Sequence, residues 1–281
     1  MTFSLLLQYI LPHQLLTRIV YWATRRQWRP WKNFLIGQIV RRFQVDLAEA
    51  QVTDIQQFEH FNAFFTRLLK PGARTAPADP AAIACPADGR ISQMGPIEDG
   101  RIFQAKGQHY TAAELLASEA DAAPYRDGSF ITVYLSPRDY HRVHMPLAGR
   151  LVETVHVPGR LFSVAPAPVR AIPRLFARNE RLVCHFEGEH GPFVVVMVGA
   201  MLVSSVSTVW SGLEIPPYAR QVTRKSWRDK NIRLGRFDEM ARFNMGSTAI
   251  VLLPKSGGRL EGSLLAEQAV RVGQSIGTTA P

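Results

Sequence analysis

From about residue 83 onward, short apolar runs rich in β-branched residues alternate with glycine and proline punctuation. The clearest are Phe130–Leu135, Leu151–Val157, Arg181–Phe186, Phe193–Val198, Ser205–Trp210 and Thr248–Leu253. Runs of this length bounded by turn residues predict strands, and their close spacing predicts a mainly antiparallel sheet system. Residues 111–119 predict one short helix, with Thr111 at its N-cap and Glu114 closing a capping box. Before residue 70 the period changes. Residues 3–45 are apolar and basic at once, and residues 46–70 continue with helical spacing that gathers Phe58, Phe61, Phe64 and Phe65 on one side. Pro71-Gly72, Pro77 and Pro80 mark a linker. The pattern therefore predicts an α+β protein, with a helical, basic segment over 1–70 and a β-rich catalytic domain over 71–281.

The first apolar run is interrupted at Gln8, Pro12, His13, Gln14 and Arg18. No stretch reaches the ~18–20 residues of a spanning helix. No lysine or arginine precedes the run, which also argues against a secretory signal. Charge sharpens the picture. The formal net charge is +10, and Arg18, Arg25, Arg26, Arg29, Lys32, Arg41 and Arg42 all precede the first acid, Asp46. Such an asymmetry calls for a polyanion, either lipid headgroups or nucleic acid. No aromatic-interleaved basic strand or zinc pattern supports base readout, so no nucleic-acid partner is expected. Trp22, Trp28 and Trp31 lie among the arginines, as in segments that rest in the headgroup layer. The expectation is peripheral docking on an anionic membrane surface, on the cytoplasmic side. The competing reading is a helix that packs its apolar face on the protein's own core. Cys85 and Cys184 are too few for a disulfide framework and read as buried small hydrophobes in a reducing compartment.

Three islands carry candidate chemistry. Cys85-Pro86-Ala87-Asp88-Gly89-Arg90 holds a carboxylate between proline and glycine; residues 136–146 place His141 and His144 in a proline-bounded segment after a strand; residues 243–248 carry a Gly246-Ser247 step into an apolar strand. Singly, each has an ordinary explanation. A Gly-Ser-Thr step recurs by chance in roughly one chain in ten of this length. The aspartate could be a turn residue, and the histidines a structural pair or half of a metal site. Together, Asp88, His144 and Ser247 can form an orienter, base and nucleophile set. Glycine before serine permits the backbone angles in which Ser247 Oγ attacks the Gly246 carbonyl. Elimination from the resulting ester would leave a dehydroalanine that hydrolyses to a pyruvoyl group. Without self-cleavage, the same set describes a serine hydrolase; with all three islands read as turns, a non-catalytic lipid-binding module remains.

The sequence resembles the phosphatidylserine decarboxylase family of the bacterial membrane-associated type over nearly its whole length. The stretches that carry the likeness are 61–74, 86–91, 104–110, 134–146, 159–164, 175–181, 198–210 and 240–252. Met245 stands where the family commonly has leucine, a near-isosteric exchange. The resemblance implies cleavage between Gly246 and Ser247, giving a large chain 1–246 and a small chain 247–281 whose first residue becomes pyruvoyl. It implies Asp88 and His144 as partners of Ser247 in maturation and His141 in decarboxylation. It also implies a Schiff base between the pyruvoyl carbonyl and phosphatidylserine, with phosphatidylethanolamine and CO2 as products. No metal and no external cofactor are implied, and a homodimer is.

Overall fold

The computed structural model describes residues 3–280 apart from positions 203, 204, 219 and 246; the side chains of Phe3, Ser4, Leu5 and Leu7 also lie outside the described residues. Three helices open the chain: α1 (Phe3–Ile10), α2 (His13–Ala23) and α3 (Arg29–Phe43). Proline separates the first two, because Pro12 cannot continue α1. Pro30 starts the third, where its missing N–H costs nothing. None of the described helices is long and apolar enough to cross a membrane.

The helical spacing read over 46–70 is realised only as one 3-10 turn, Ile55–Gln57, and one short α-helix. Asp46 turns its carboxylate onto the backbone amide of Ala48, which stabilises a turn, and Asp54 caps the 3-10 helix through the amide of Gln56. The chain then doubles back, pairing Ala50 with Leu69 and bonding Gln51 N–H to the Leu68 carbonyl. Only α4 (Phe61–Phe65) is regular, capped by the His60 side chain. The phenylalanine pattern was nonetheless a core signal. Phe58, Phe61, Phe64 and Phe65 pack with Ile36 of α3 into one cluster, against which Met245 also packs.

The β-rich region is built on a nine-stranded antiparallel sheet. Its centre is Thr248–Leu253, paired with Gly191–Val198 on one side and Ser129–Tyr134 on the other. Beyond these lie Arg181–Gly188 and Gly149–Val157 to one flank and Gly89–Pro96 to the other. Thr248–Leu253 is buried along its whole length because the sheet is covered on both faces. Ala249, Val251 and Leu253 join one apolar cluster; Ile250 and Leu252 join the other. Two covered faces explain a continuous apolar run where a half-exposed strand would alternate. A four-stranded antiparallel sheet runs Gly212–Ile215, Val206–Thr208, Glu239–Phe243, Arg142–His144.

The expected capping box forms: Thr111 Oγ1 accepts from Glu114 N, and Thr111 N donates to Glu114. The helix is shorter than the sequence implied, ending at Leu116. Ala117 turns into a left-handed conformation, and Ser118 caps a second helix, Glu119–Ala122. Both cysteines are free and fully buried, as read, and burial pushes the Cys85 thiol up to about 12.

Candidate active site

Three chain segments pass side by side from the large sheet to the small one. In the large sheet Thr248–Leu253 lies between Gly191–Val198 and Ser129–Tyr134; in the small sheet the same chain, as Glu239–Phe243, lies between Val206–Thr208 and Arg142–His144. The paired strands stop at Tyr134, Val198 and Phe243 and resume at Arg142, Val206 and Thr248. Backbone bonds fasten these crossings to one another. Leu135 N–H donates to the Ser247 carbonyl at 2.9 Å, Phe243 N–H to His141 at 2.9 Å and Asn244 N–H to Ser205 at 2.9 Å.

Ser247 heads the central strand and is 1% exposed. Its hydroxyl donates to the Val198 carbonyl. Gly246, the other half of the expected cleavage step, lies outside the described residues. Beside Ser247 is a cavity of about 200 Å³, walled by Leu135, Pro137 and Met245 from the crossings and by Ile39, Phe61 and Phe65 from the helical segment. The lining is chiefly apolar, so water has few partners there.

His141 is fully buried, its ring 4.0 Å centroid to centroid from Phe65. Its Nδ1 lies 2.8 Å from the Asp139 carbonyl. A carbonyl only accepts, so Nδ1 carries the hydrogen and Nε2 the lone pair. Nε2 has no partner among the described residues. Burial, and secondarily the Arg67 charge, lower its pKa to about 3, so the ring is neutral at pH 7. His144 repeats the arrangement: Nδ1 is 2.6 Å from the Phe237 carbonyl and Nε2 is 3.3 Å from the Tyr140 hydroxyl. Burial again lowers its pKa, opposed by the Phe237 bond and the Glu239 and Asp88 charges. Both histidines therefore present the lone pair on Nε2.

Asp88 is buried next to this region, since His144 N–H bonds the Pro86 carbonyl at 2.8 Å. Gly89 has no room for a side chain; a Cβ there would lie 2.2 Å from the Tyr134 carbonyl. That approach brings Asp88 alongside the end of Ser129–Tyr134. Its carboxylate is held by Arg74 Nε at 2.9 Å and by Val272 N–H at 2.8 Å. Among the described residues no hydrogen bond joins Asp88 to His144 or His144 to Ser247. The tautomer of His144 is fixed by the Phe237 carbonyl, where the sequence reading gave that task to Asp88. The register also orders the histidines: His144 lies opposite Glu239, whereas His141 lies alongside Phe243, closer along the chain to Ser247.

Sequence reasoning missed Arg74, Tyr140 and Phe237. The first two lay inside stretches already singled out, at 61–74 and 134–146; Phe237 contributes only a backbone carbonyl, which no residue pattern announces. Among the described residues one trio could hold a metal, Asp121, Glu153 and His185. Arg224 pairs with both of its carboxylates, and neither Gly149–Val157 nor Arg181–Gly188 pairs with the central strand.

The sequence model of the family described as phosphatidylserine decarboxylase matches residues 61–278, and a second, described as PSD, matches residues 3–44. A phosphatidylserine decarboxylase proenzyme of Xanthomonas euvesicatoria pv. vesicatoria is 63% identical over 270 residues, 96% of each chain. One of Stenotrophomonas maltophilia is 58% identical over 276 residues, 98% of this chain and 99% of the relative.

Proposed function

The chain belongs to the phosphatidylserine decarboxylase family and is a carboxy-lyase, and from that premise we propose that it matures by cutting itself between Gly246 and Ser247 and then decarboxylates phosphatidylserine to phosphatidylethanolamine. The observation that carries this reading is the placement of Ser247: buried, at the break between two sheets, beside a largely apolar cavity. A cut there leaves the small chain held, because Thr248–Leu253 stays paired along both edges.

In maturation His144 Nε2 takes the proton of Ser247 Oγ, which must leave the Val198 carbonyl to attack Gly246. The bond between the Gly246 carbonyl and the Ser247 nitrogen gives way to an ester. Elimination frees the carboxylate of residue 246 and leaves dehydroalanine at 247, whose hydrolysis releases ammonia and leaves a pyruvoyl group. Asp88 stabilises the imidazolium that forms on His144, and Arg74 holds that carboxylate in place.

The buried site fits such a group: small, largely apolar, with an amide donor already on the carbonyl of residue 247. When formed, the group supplies a carbonyl that condenses with the substrate amine and a sink for the electron pair left by CO2. Leu135 N–H, 2.9 Å from that carbonyl oxygen, stabilises negative charge collecting there. Phe65 and Phe61 exclude water. His141 Nε2, a lone pair without a protein partner among the described residues, takes up a proton that the substrate amine releases on condensing and returns it to the α-carbon. Incubation with phosphatidylserine and cyanoborohydride should attach the lipid amine covalently to residue 247 of the small chain. A serine hydrolase would instead show an intact chain labelled at Ser247 by a phosphonylating probe and no such adduct.

We also propose that the helical segment docks on an anionic bilayer surface. Helix α2 is turned inside out. It buries His13 and Thr17 against the protein, with His13 Nδ1 accepting from Leu161 N–H at 3.3 Å. Leu15, Ile19 and Trp22, at successive helical turns, face outward and are each more than half exposed. Ile10, Trp28 and Phe34 add to the exposed apolar surface. A surface this apolar on the solvent side is satisfied by lipid rather than water. Of the seven basic residues, Lys32 is buried and Arg25 partly so, which leaves Arg18, Arg26, Arg29, Arg41 and Arg42 exposed. Each contributes about 1 kcal/mol near an anionic membrane, weakened by salt.

The double variant Ile19→Glu/Trp22→Glu should lose vesicle binding by ~10²-fold or more, since each side chain withdraws roughly 1.5–3 kcal/mol of apolar burial. Self-cleavage should persist, because neither residue touches the junction. Binding to anionic vesicles as tight as that of the parent would rule the docking face out. Point variants are the right instrument, since deleting α3 would strip Ile36 and Ile39 from the core that seats Phe65 and Met245.

A further inference from the structure

The crossing that leads to Ser247 is anchored by a side chain that the chemistry above does not use. Asn244 is 4% exposed, and its carboxamide bonds on two sides. Nδ2 donates to Ser207 Oγ at 2.9 Å and to Ser205 Oγ at 3.0 Å. Oδ1 accepts from Asn62 Nδ2 at 3.4 Å. Asn62 is itself buried, in α4 between two of the cavity's aromatic walls, Phe61 and Phe65. Its backbone N–H donates to the Thr24 carbonyl at 3.0 Å, just past the end of α2. A polar chain thus runs from the end of α2 through Asn62 and Asn244 to the small sheet, buried beside an aromatic cluster.

Stability alone gives no reason for it. The surroundings are apolar, and buried amides contribute little net free energy over well-packed apolar side chains. What this buried network does supply, even with Asn62 Oδ1 left without a partner among the described residues, is a fixed arrangement of the segment it bonds. The segment it fixes is the one that must be strained to react. Asn244 ties one end to Ser205 and Ser207, and the Leu135 N–H bond ties the other end at Ser247, so only residues 245 and 246 span the gap. Met245, within that span, packs on the aromatic cluster of the helical segment.

We propose that Asn244, backed by Asn62, is a positioning residue for self-cleavage, so that the proenzyme cuts itself efficiently only when the helical segment is seated on the two sheets. The inference rests on the self-cleavage reading above. Seating the segment brings Asn62 to Asn244 and the aromatic cluster to Met245, and both hold the span in the geometry of attack. Misplacement by about 1 Å costs roughly 10²-fold in a reaction that depends on orientation. An unseated, newly made chain is therefore kept from cutting out of register.

The test uses the full-length chain made in a cell-free system, following release of residues 247–281 with time. Thermal midpoints are measured on the same substitutions in an uncut Ser247→Ala background. Asn244→Ala should slow cleavage ~10-fold or more, and Asn62→Ala by a smaller factor, on the scale of one or two hydrogen bonds. Midpoints should move by no more than a few degrees. In the double variant Asn62→Ala should add no further slowing, because it acts through Asn244. Cleavage at the parent's rate in both single variants would overturn the proposal, as would slowing that is additive and tracks lost thermal stability. A parent chain that never cuts would instead sink the self-cleavage reading itself.

Discussion

Ser247→Ala is expected to accumulate as one chain of 281 residues with no measurable decarboxylation, a loss of more than ~10³-fold, because the carbonyl that accepts the substrate amine never forms. Little else should change. The substitution removes one hydroxyl, and its bond to the Val198 carbonyl contributes ~1 kcal/mol to stability. Thr248–Leu253 keeps both of its neighbours, so circular dichroism and thermal midpoint should match the parent closely. The pairing of an intact fold with an uncut, inactive chain is what distinguishes this account. A hydrolase would also die with Ser247, but its parent would be one chain as well. Decarboxylation retained by the uncut variant would end the account.

The two histidines should separate maturation from turnover. His144→Ala and Asp88→Asn should stay largely uncut, since Ser247 is a weak nucleophile without a base and without the charge that stabilises its protonated form. His141→Ala should cut, yet decarboxylate ~10²–10⁴-fold more slowly, the range for losing a positioned acid–base group. The pH dependence follows from the burial of His144. Its pKa is held below the ordinary 6.5, so the base form is complete above that pH. Cleavage should therefore be flat above about pH 6.5 and decline only as pH falls through the lowered value. Asp88 raises the His144 pKa; its neutralisation should carry the residual decline to still lower pH. The opposite partition, an uncut His141→Ala with normal cutting in His144→Ala, would exchange the two roles. The register makes that outcome the pointed one to check, because His141 is the histidine aligned with Phe243.

The sheet was legible where burial dictates composition. Thr248–Leu253 and Gly191–Val198 are apolar throughout because both faces are covered, and such runs stand out without knowledge of their partners. The capping box at Thr111 was legible for a similar reason: it is a contact between residues three apart. The stretch 46–70 is helical only over Ile55–Gln57 and Phe61–Phe65, because the phenylalanine spacing is produced largely by a chain that doubles back. Periodicity reports which residues meet in a core, and it cannot separate those two routes. In α2 the apolar positions were visible but not their direction; only the buried His13 and Thr17 show that the polar stripe faces inward.

The site was legible as residue types and not as geometry. The segment of Asp88 is bonded to that of His144, and the segment of His141 to the crossing that leads to Ser247, but Arg74 holds Asp88 and the Phe237 carbonyl orients His144. Phe237 lies 93 residues from its histidine and acts through its backbone, so no motif could have marked it. The role of Asn244 was hidden for a different reason. It lay in full view beside Met245, but its partners Asn62, Ser205 and Ser207 come together only in the fold.

The central claim, that Ser247 becomes the reactive group by cutting the chain, is tested most directly by the intact mass of the purified wild-type protein under denaturing conditions. The account predicts two species, residues 1–246 ending in a free carboxylate and residues 247–281 beginning with a pyruvoyl group and lacking a free amine. A single full-length species that is nevertheless active on phosphatidylserine would contradict it.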